Sequence, residues 1–136
     1  AVGHCEEYVF LDRLEYLAAG GRLSKTEAFF GDMLRMKPIV SPTAAGARKV
    51  GVVRNREEQL RFALEALGRS LQPDAKALIM LEYSDNRSWV EEVRHAVVER
   101  YPEARIIVHP LSLTSGAHMG PETWGLAFLP EVRPLP

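Results

Sequence analysis

Ala77-Leu78-Ile79-Met80-Leu81-Glu82-Tyr83, followed by Ser88-Trp89-Val90-Glu91 and then Ile106-Ile107-Val108, is the stretch whose pattern decides the fold. A continuous apolar run of this kind is a strand with both faces covered. Ser88-Trp89-Val90-Glu91 has the form of a capping box and opens a helix to about Tyr101, burying Val90, Val93, Val97 and Tyr101. Pro102 stops that helix, and Arg105 to His109 is the next strand. Strand, helix and strand at this spacing predict a right-handed crossover between parallel neighbours.

The same alternation extends outward in both directions. Upstream, Asn55 caps a helix reaching about Ser70, with Leu60, Ala63, Leu64, Leu67 and Leu71 on its buried stripe. Before it, Lys37-Pro38-Ile39-Val40 reads as extended, and Pro38 marks a strand start or an edge. Ala44-Ala45-Gly46 is a turn, and Arg48 to Arg54 returns as the second arm of a hairpin. Tyr8 to Ala19 has helical spacing and stops at Gly20-Gly21. Ser24-Lys25-Thr26-Glu27 begins a second short helix through Leu34. Downstream, a last strand runs from Gly125 to Leu129. The expected architecture is α/β: a mixed, mostly parallel sheet with helices packed on it.

Composition narrows the function classes. At 136 residues, 46% hydrophobic and 26% charged, residues 1–136 read as a single domain with a real core. A net charge of −1 gives no basic surface for nucleic acid or an anionic membrane. Cys5 is the one cysteine, so no internal disulfide forms and a reducing cytosol is compatible. No apolar run approaches the ~20 residues of a membrane helix. No basic-then-apolar leader is visible at the N-terminus. The chain starts at Ala1, soon inside an amphipathic pattern, and this reads as a piece cut from a longer protein.

Two glycine-flanked polar residues carry the chemistry. Arg22 follows Gly20 and Gly21, and His118 lies within Ser115-Gly116-Ala117-His118-Met119-Gly120-Pro121. A guanidinium offers a planar fork to a carboxylate or phosphate, and an imidazole offers an N–H donor near neutrality. Glycines let the backbone approach an anion closely. Pro121 suits the first turn of a short helix, whose N-terminus would add further donors. Each residue also has a plainer reading. His118 alone fits a loop histidine bonding a carbonyl, and Arg22 alone fits a cation at a helix C-terminus. His95 falls among Glu91, Glu92 and Glu99 on a solvated flank, and His109 has no clustered acids for a metal. His4 and Cys5 have no nucleophile's partner, and no phosphate loop, dinucleotide fingerprint or nucleophile elbow is present.

In order, Leu14-Glu15-Tyr16-Leu17, Gly20-Gly21-Arg22-Leu23-Ser24, Met36-Lys37-Pro38-Ile39-Val40, Val53-Arg54, Gly116-Ala117-His118-Met119-Gly120-Pro121 and Gly125-Leu126-Ala127-Phe128 together resemble one family. They are similar to the C-terminal domain of the DegV family of bacterial fatty-acid-binding proteins (the EDD fold), over nearly the whole chain. The resemblance implies a two-domain carrier that holds a long-chain fatty acid between its domains, without catalysis or cofactor, in the cytoplasm. It assigns Arg22 and His118 to the fatty-acid carboxylate, with Gly20, Gly21, Gly116 and Gly120 as supporting loop. It further implies three partners: an N-terminal domain lying outside this fragment, the fatty acid, and a separate kinase that phosphorylates the presented carboxylate. The exposed domain face would also be open to homodimerisation. The family loop usually continues Gly-Pro-Gly, whereas this chain has Gly120-Pro121-Glu122. Glu122 is expected at an early helical position, facing water. Two other functions compete: a dihydroxyacetone-kinase-like phosphotransfer subunit, and a docking module without ligand.

Overall fold

The computed structural model describes residues 5–12, 36–43, 46–111 and 120–130. Along the chain these form β1 (Glu6–Phe10), β2 (Lys37–Thr43), β3 (Gly46–Val53), α1 (Arg56–Ser70), β4 (Leu78–Tyr83), α2 (Arg87–Arg100), β5 (Arg105–Pro110) and β6 (Trp124–Leu129). The strands make one 6-stranded sheet in the order β3-β2-β1-β6-β4-β5. The mixed α/β architecture with helices on a sheet is as expected.

The strand directions are a correction. Only β4 and β5 pair in parallel, while β3–β2, β2–β1, β1–β6 and β6–β4 are antiparallel. The mostly parallel sheet expected from the alternation is therefore mostly antiparallel. The strand–helix–strand unit holds at β4–α2–β5. However, β3 and β4 are not neighbours, because β6 enters between β1 and β4 and β1 carries β2 on its other side. Such non-local pairing leaves no trace in local periodicity.

A second correction concerns the start of the helix expected from Tyr8, which is strand β1. Tyr8-Val9-Phe10 is aromatic and β-branched, the composition that a pleated sheet favours. Val9 and Phe10 are buried on opposite faces, as a strand paired on both sides requires. The remainder of that expected helix, and the one from Ser24, lie outside the described residues. The β2–β3 hairpin is as expected, with Thr43 opposite Gly46 and Lys37 opposite Val53. Pro38 stands near the start of β2, a strand that is interior rather than at an edge.

The helices follow from their caps and stripes. Asn55 is extended at φ −152, and its Oδ1 accepts the Glu58 N–H at 2.8 Å. The buried face of α1 is Gln59, Ala63, Ala66 and Leu67, rotated slightly from the expected stripe, with Leu60 and Leu64 half-buried. Helix α2 starts at Arg87, so Ser88 lies inside it rather than at its cap. The cap position is Asn86, whose Oδ1 accepts instead from the Ser84 N–H at 3.0 Å. Trp89, Val90, Val93 and Val97 line its inner face.

Alternate strand residues Phe10, Ile39, Ile79, Leu81, Trp124, Leu126 and Phe128 meet both helices in one core. Fully burying each large side chain contributes about 1.5–3 kcal/mol. Trp124 sits at its centre, stacked on Phe10 with ring centroids 4.0 Å apart and edge-on to Trp89 at 6.3 Å. No helix among the described residues is long and apolar enough to cross a membrane.

Candidate functional site

The strand directions define one edge of the sheet. Strands β1, β3, β4 and β5 run one way and β2 and β6 the other, so four carboxyl ends and two amino ends share a rim. Leu11 and Asp12, Arg54 to Arg56, Ser84 to Arg87, Leu111 and Gly120 to Thr123 all lie along it. In open α/β sheets ligands bind outside the carboxyl ends of strands, and four of the six strand ends on this rim are carboxyl ends. The stretch 13–35 departs from Asp12 and rejoins at Met36. The stretch 112–119 departs from Leu111 and rejoins at Gly120. All four anchor residues belong to this one rim, where the Leu11 N–H donates to Pro38 O at 3.0 Å and the Leu111 N–H to Tyr83 O at 2.8 Å. Lys37 is ion-paired with Asp12 beside the first pair of anchors.

Of the residues singled out from the sequence, Gly20, Gly21, Arg22, Gly116 and His118 lie outside the described residues. Gly120 is described. Its φ of 84 is left-handed, a conformation that glycine adopts freely. The short helix expected after Pro121 is instead a tight turn, and Glu122 also takes a left-handed φ, at 64. A proline followed by a left-handed residue is the arrangement of a type II turn, whose third position favours glycine. That preference explains Gly-Pro-Gly as the usual pattern here. Holding glutamate there costs about 1 kcal/mol of backbone strain.

Several contacts hold this turn against its neighbours. The Glu122 N–H donates to Asp85 Oδ1 at 2.7 Å, and the Glu122 carboxylate is ion-paired with Arg56. Thr123 Oγ1 donates to Gly120 O at 2.8 Å, and Ser84 Oγ donates to Thr123 O at 2.7 Å. Arg56 in turn lies over the Trp89 ring, 5.4 Å from its centroid. The Glu122 N–H, ahead of the Ser84 hydroxyl and the Arg56 charge, holds the Asp85 carboxyl below its ordinary range, and partial burial opposes this. One step inside the rim, burial raises the Glu82 carboxyl, the facing His109 opposes that, and Glu7 adds to it. Asn86 Nδ2 and Trp89 Nε1, both buried, have no hydrogen-bond partner among the described residues.

Arg56 and Asp85 escaped the sequence reading, because a basic first helical residue and an acidic turn residue look like ordinary surface. The signal that could have found them is the departure at Glu122, which was expected to face water and is instead paired with Arg56 and bonded to Asp85. His95 is exposed, as a solvated flank requires, Cys5 is an exposed free thiol, and His109 Nδ1 lies 2.9 Å from Pro110 O, while His4 lies outside the described residues. Among the described residues no group of His, Cys, Asp or Glu could hold a metal.

The family model described as "Uncharacterised protein, DegV family" matches residues 3–131. A DegV domain-containing protein of Clostridium perfringens is 26% identical over 93% of this chain and 44% of its own length. The solved structure titled as fatty acid binding of a DegV family protein from Thermus thermophilus superposes with a TM-score of 0.78. That match is at 23% identity and covers 93% of this chain and 45% of the other. The Streptococcus pneumoniae Fatty Acid Kinase (Fak) B3 protein, loaded with linoleic acid, gives a TM-score of 0.77 at 16% identity, covering 92% of this chain and 44% of the other. The chain thus spans less than half the length of each of these relatives.

Proposed function

The chain belongs to the DegV family, and from that premise we propose that it forms the C-terminal half of a two-domain, non-catalytic carrier of long-chain fatty acids. Its share in the site is the carboxylate headgroup, held by Arg22 and His118, with Gly20, Gly21, Gly116 and Gly120 allowing close backbone approach. The observation that carries this reading is the common rim: the anchors of both glycine-rich segments lie on one sheet edge. The names of two structural neighbours support the ligand class, since one binds a fatty acid and the other was solved with linoleic acid. The second of these is named a Fatty Acid Kinase (Fak) B3 protein, which supports presentation of the headgroup to a kinase as the carrier's task in the cytoplasm.

The energetics divide the work. The acyl chain contributes about 0.8 kcal/mol for each CH₂ fully buried, so it supplies most of the affinity. A buried carboxylate needs pairing to offset a desolvation penalty of several kcal/mol. Arg22 and His118 therefore neutralise and orient, and the other domain completes the wall. Native mass spectrometry of the two-domain protein from bacteria should show a co-purifying fatty acid. Palmitate added after delipidation should be taken up. Arg22→Ala and His118→Ala should each weaken uptake; a clean apo mass with no uptake, or unchanged affinity in both variants, rejects the proposal.

A further inference from the structure

We propose that the Arg56–Glu122 ion pair is a positioning latch: it fixes the turn Gly120–Thr123, the stem on which the segment 112–119 rejoins the sheet, and headgroup affinity depends on it. Two observations carry this. Glu122 occupies a left-handed position where glycine is the unstrained choice, so its side chain is held there against a backbone preference. Both ends of Glu122 are also engaged by different elements, the N–H by Asp85 of the β4–α2 connection and the carboxylate by Arg56 of α1.

Arg56 is itself braced. Its guanidinium rests over Trp89, whose ring is edge-on to the fully buried Trp124 at the start of β6. The latch therefore connects the turn Gly120–Thr123 to the core through α1 and α2, three residues or fewer from where the loop rejoins. Ser84 Oγ on Thr123 O fastens the next residue of the same stem. A glycine at position 122 would lower the strain but release the stem from α1. The latch rests on the carrier reading for its effect on affinity, while its effect on the stem is independent of any ligand.

The pair is about 40% exposed on each side, at 42% and 39%, which places it among modest ion pairs. Losing it should reduce the competent population, and hence apparent fatty-acid affinity, by up to about fivefold. The test uses the delipidated two-domain protein with palmitate as the probe, comparing wild type, Glu122→Gly, Arg56→Ala and the exchanged pair Arg56→Glu/Glu122→Arg. Hydrogen exchange over 112–123 and urea midpoints are read on the same samples.

The expected result is weaker binding and faster exchange in both single variants, with partial recovery of both in the exchanged pair, where the carboxylate at position 56 lacks the contact over Trp89. Glu122→Gly should also keep its urea midpoint, which separates positioning from folding. High salt should weaken the wild type more than it weakens Glu122→Gly, because screening acts on the headgroup pairing in both proteins and on the latch in the wild type alone. Wild-type binding and exchange in both single variants would overturn the latch. So would tighter binding in Glu122→Gly, which would mean that Glu122 merely occupies a cation the ligand wants. If the wild type binds no fatty acid at all, the carrier reading fails, and the exchange and recovery measurements still decide the latch.

Discussion

The buried polar contact at the centre of the core offers the sharpest test of how the rim is held. Trp124 Nε1 donates to Gln59 Oε1 at 3.0 Å, and Gln59 Nε2 donates to Leu11 O at 3.4 Å. Trp124 is 0% exposed and Gln59 2%. This chain of bonds ties α1 and β6 to Leu11, where β1 leaves the sheet toward 13–35. Gln59→Met keeps the volume but strands the indole N–H and weakens the support of Leu11 O. An unsatisfied buried donor costs about 1–3 kcal/mol, and the longer bond to Leu11 O adds little, so about 2 kcal/mol is expected.

Trp124→Phe strands Gln59 Oε1 and leaves a gap beside Phe10, a combined loss of about 3 kcal/mol. The double variant removes both polar ends of the bond, so its loss should fall short of the sum by about 1–2 kcal/mol. Urea unfolding reads all four proteins, with Trp89 as the remaining fluorescent reporter in the Trp124 variants. The comparison requires equal slopes and shifted midpoints. Losses that add to within about 0.3 kcal/mol would refute the reasoning, because the two groups would then be satisfied independently of one another.

Three further outcomes follow from the same geometry. Asp85 has a lowered carboxyl, so its contribution is complete above its ordinary 3.8 and disappears as pH falls through the depressed folded value. Asp85→Asn should therefore be less stable than wild type at pH 7, with the gap in urea midpoint closing toward pH 2. Glu82 has the opposite sign: its raised carboxyl favours folding when protonated, and that benefit is lost as pH rises from 4.5 through the raised value. Glu82→Gln should gain up to about 0.5 kcal/mol at pH 7, reduced by solvent screening at a half-buried site, and match wild type at pH 4. A Cβ on Gly51 would lie 3.0 Å from Phe62 Cε2, and Phe62 is wedged edge-on against Tyr8 and Phe10. Gly51→Ala should lose about 1 kcal/mol in a thermal melt, overpacking outweighing the backbone gain.

What could be read from the residues depended on the range of the interaction that fixes them. Helices α1 and α2 were legible almost to their ends, because a 3.6-residue stripe is local, as is the Asn55 cap of α1, whereas the cap read at Ser88 lies inside α2. Strands β4 and β5 were legible because valine, isoleucine and leucine runs bounded by turns have few alternatives. β1 was misread, since Phe10, Leu11 and Leu14 also satisfy a helical period and only pairing with β2 and β6 decides. The mostly parallel sheet failed for the same reason: strand neighbours are chosen across the molecule. The glycine-rich segments and their likeness to a family were visible in sequence. The Arg56–Glu122 contact was not, because it joins residues far apart in the chain. A left-handed φ at Glu122 had only one sequence trace, a glutamate where glycine is usual.

The place of β6 between β1 and β4 has a consequence for biosynthesis. Until Trp124–Leu129 has left the ribosome, β1–β3 and β4–β5 are two half-sheets with no shared border, each with a bare flank of unpaired amides. The nascent polypeptide thus carries two adhesive margins until β6 emerges, and a message truncated before the codon for Trp124 would yield a product prone to clumping. Strand β6 acts as the keystone, and closure of the sheet must wait for it.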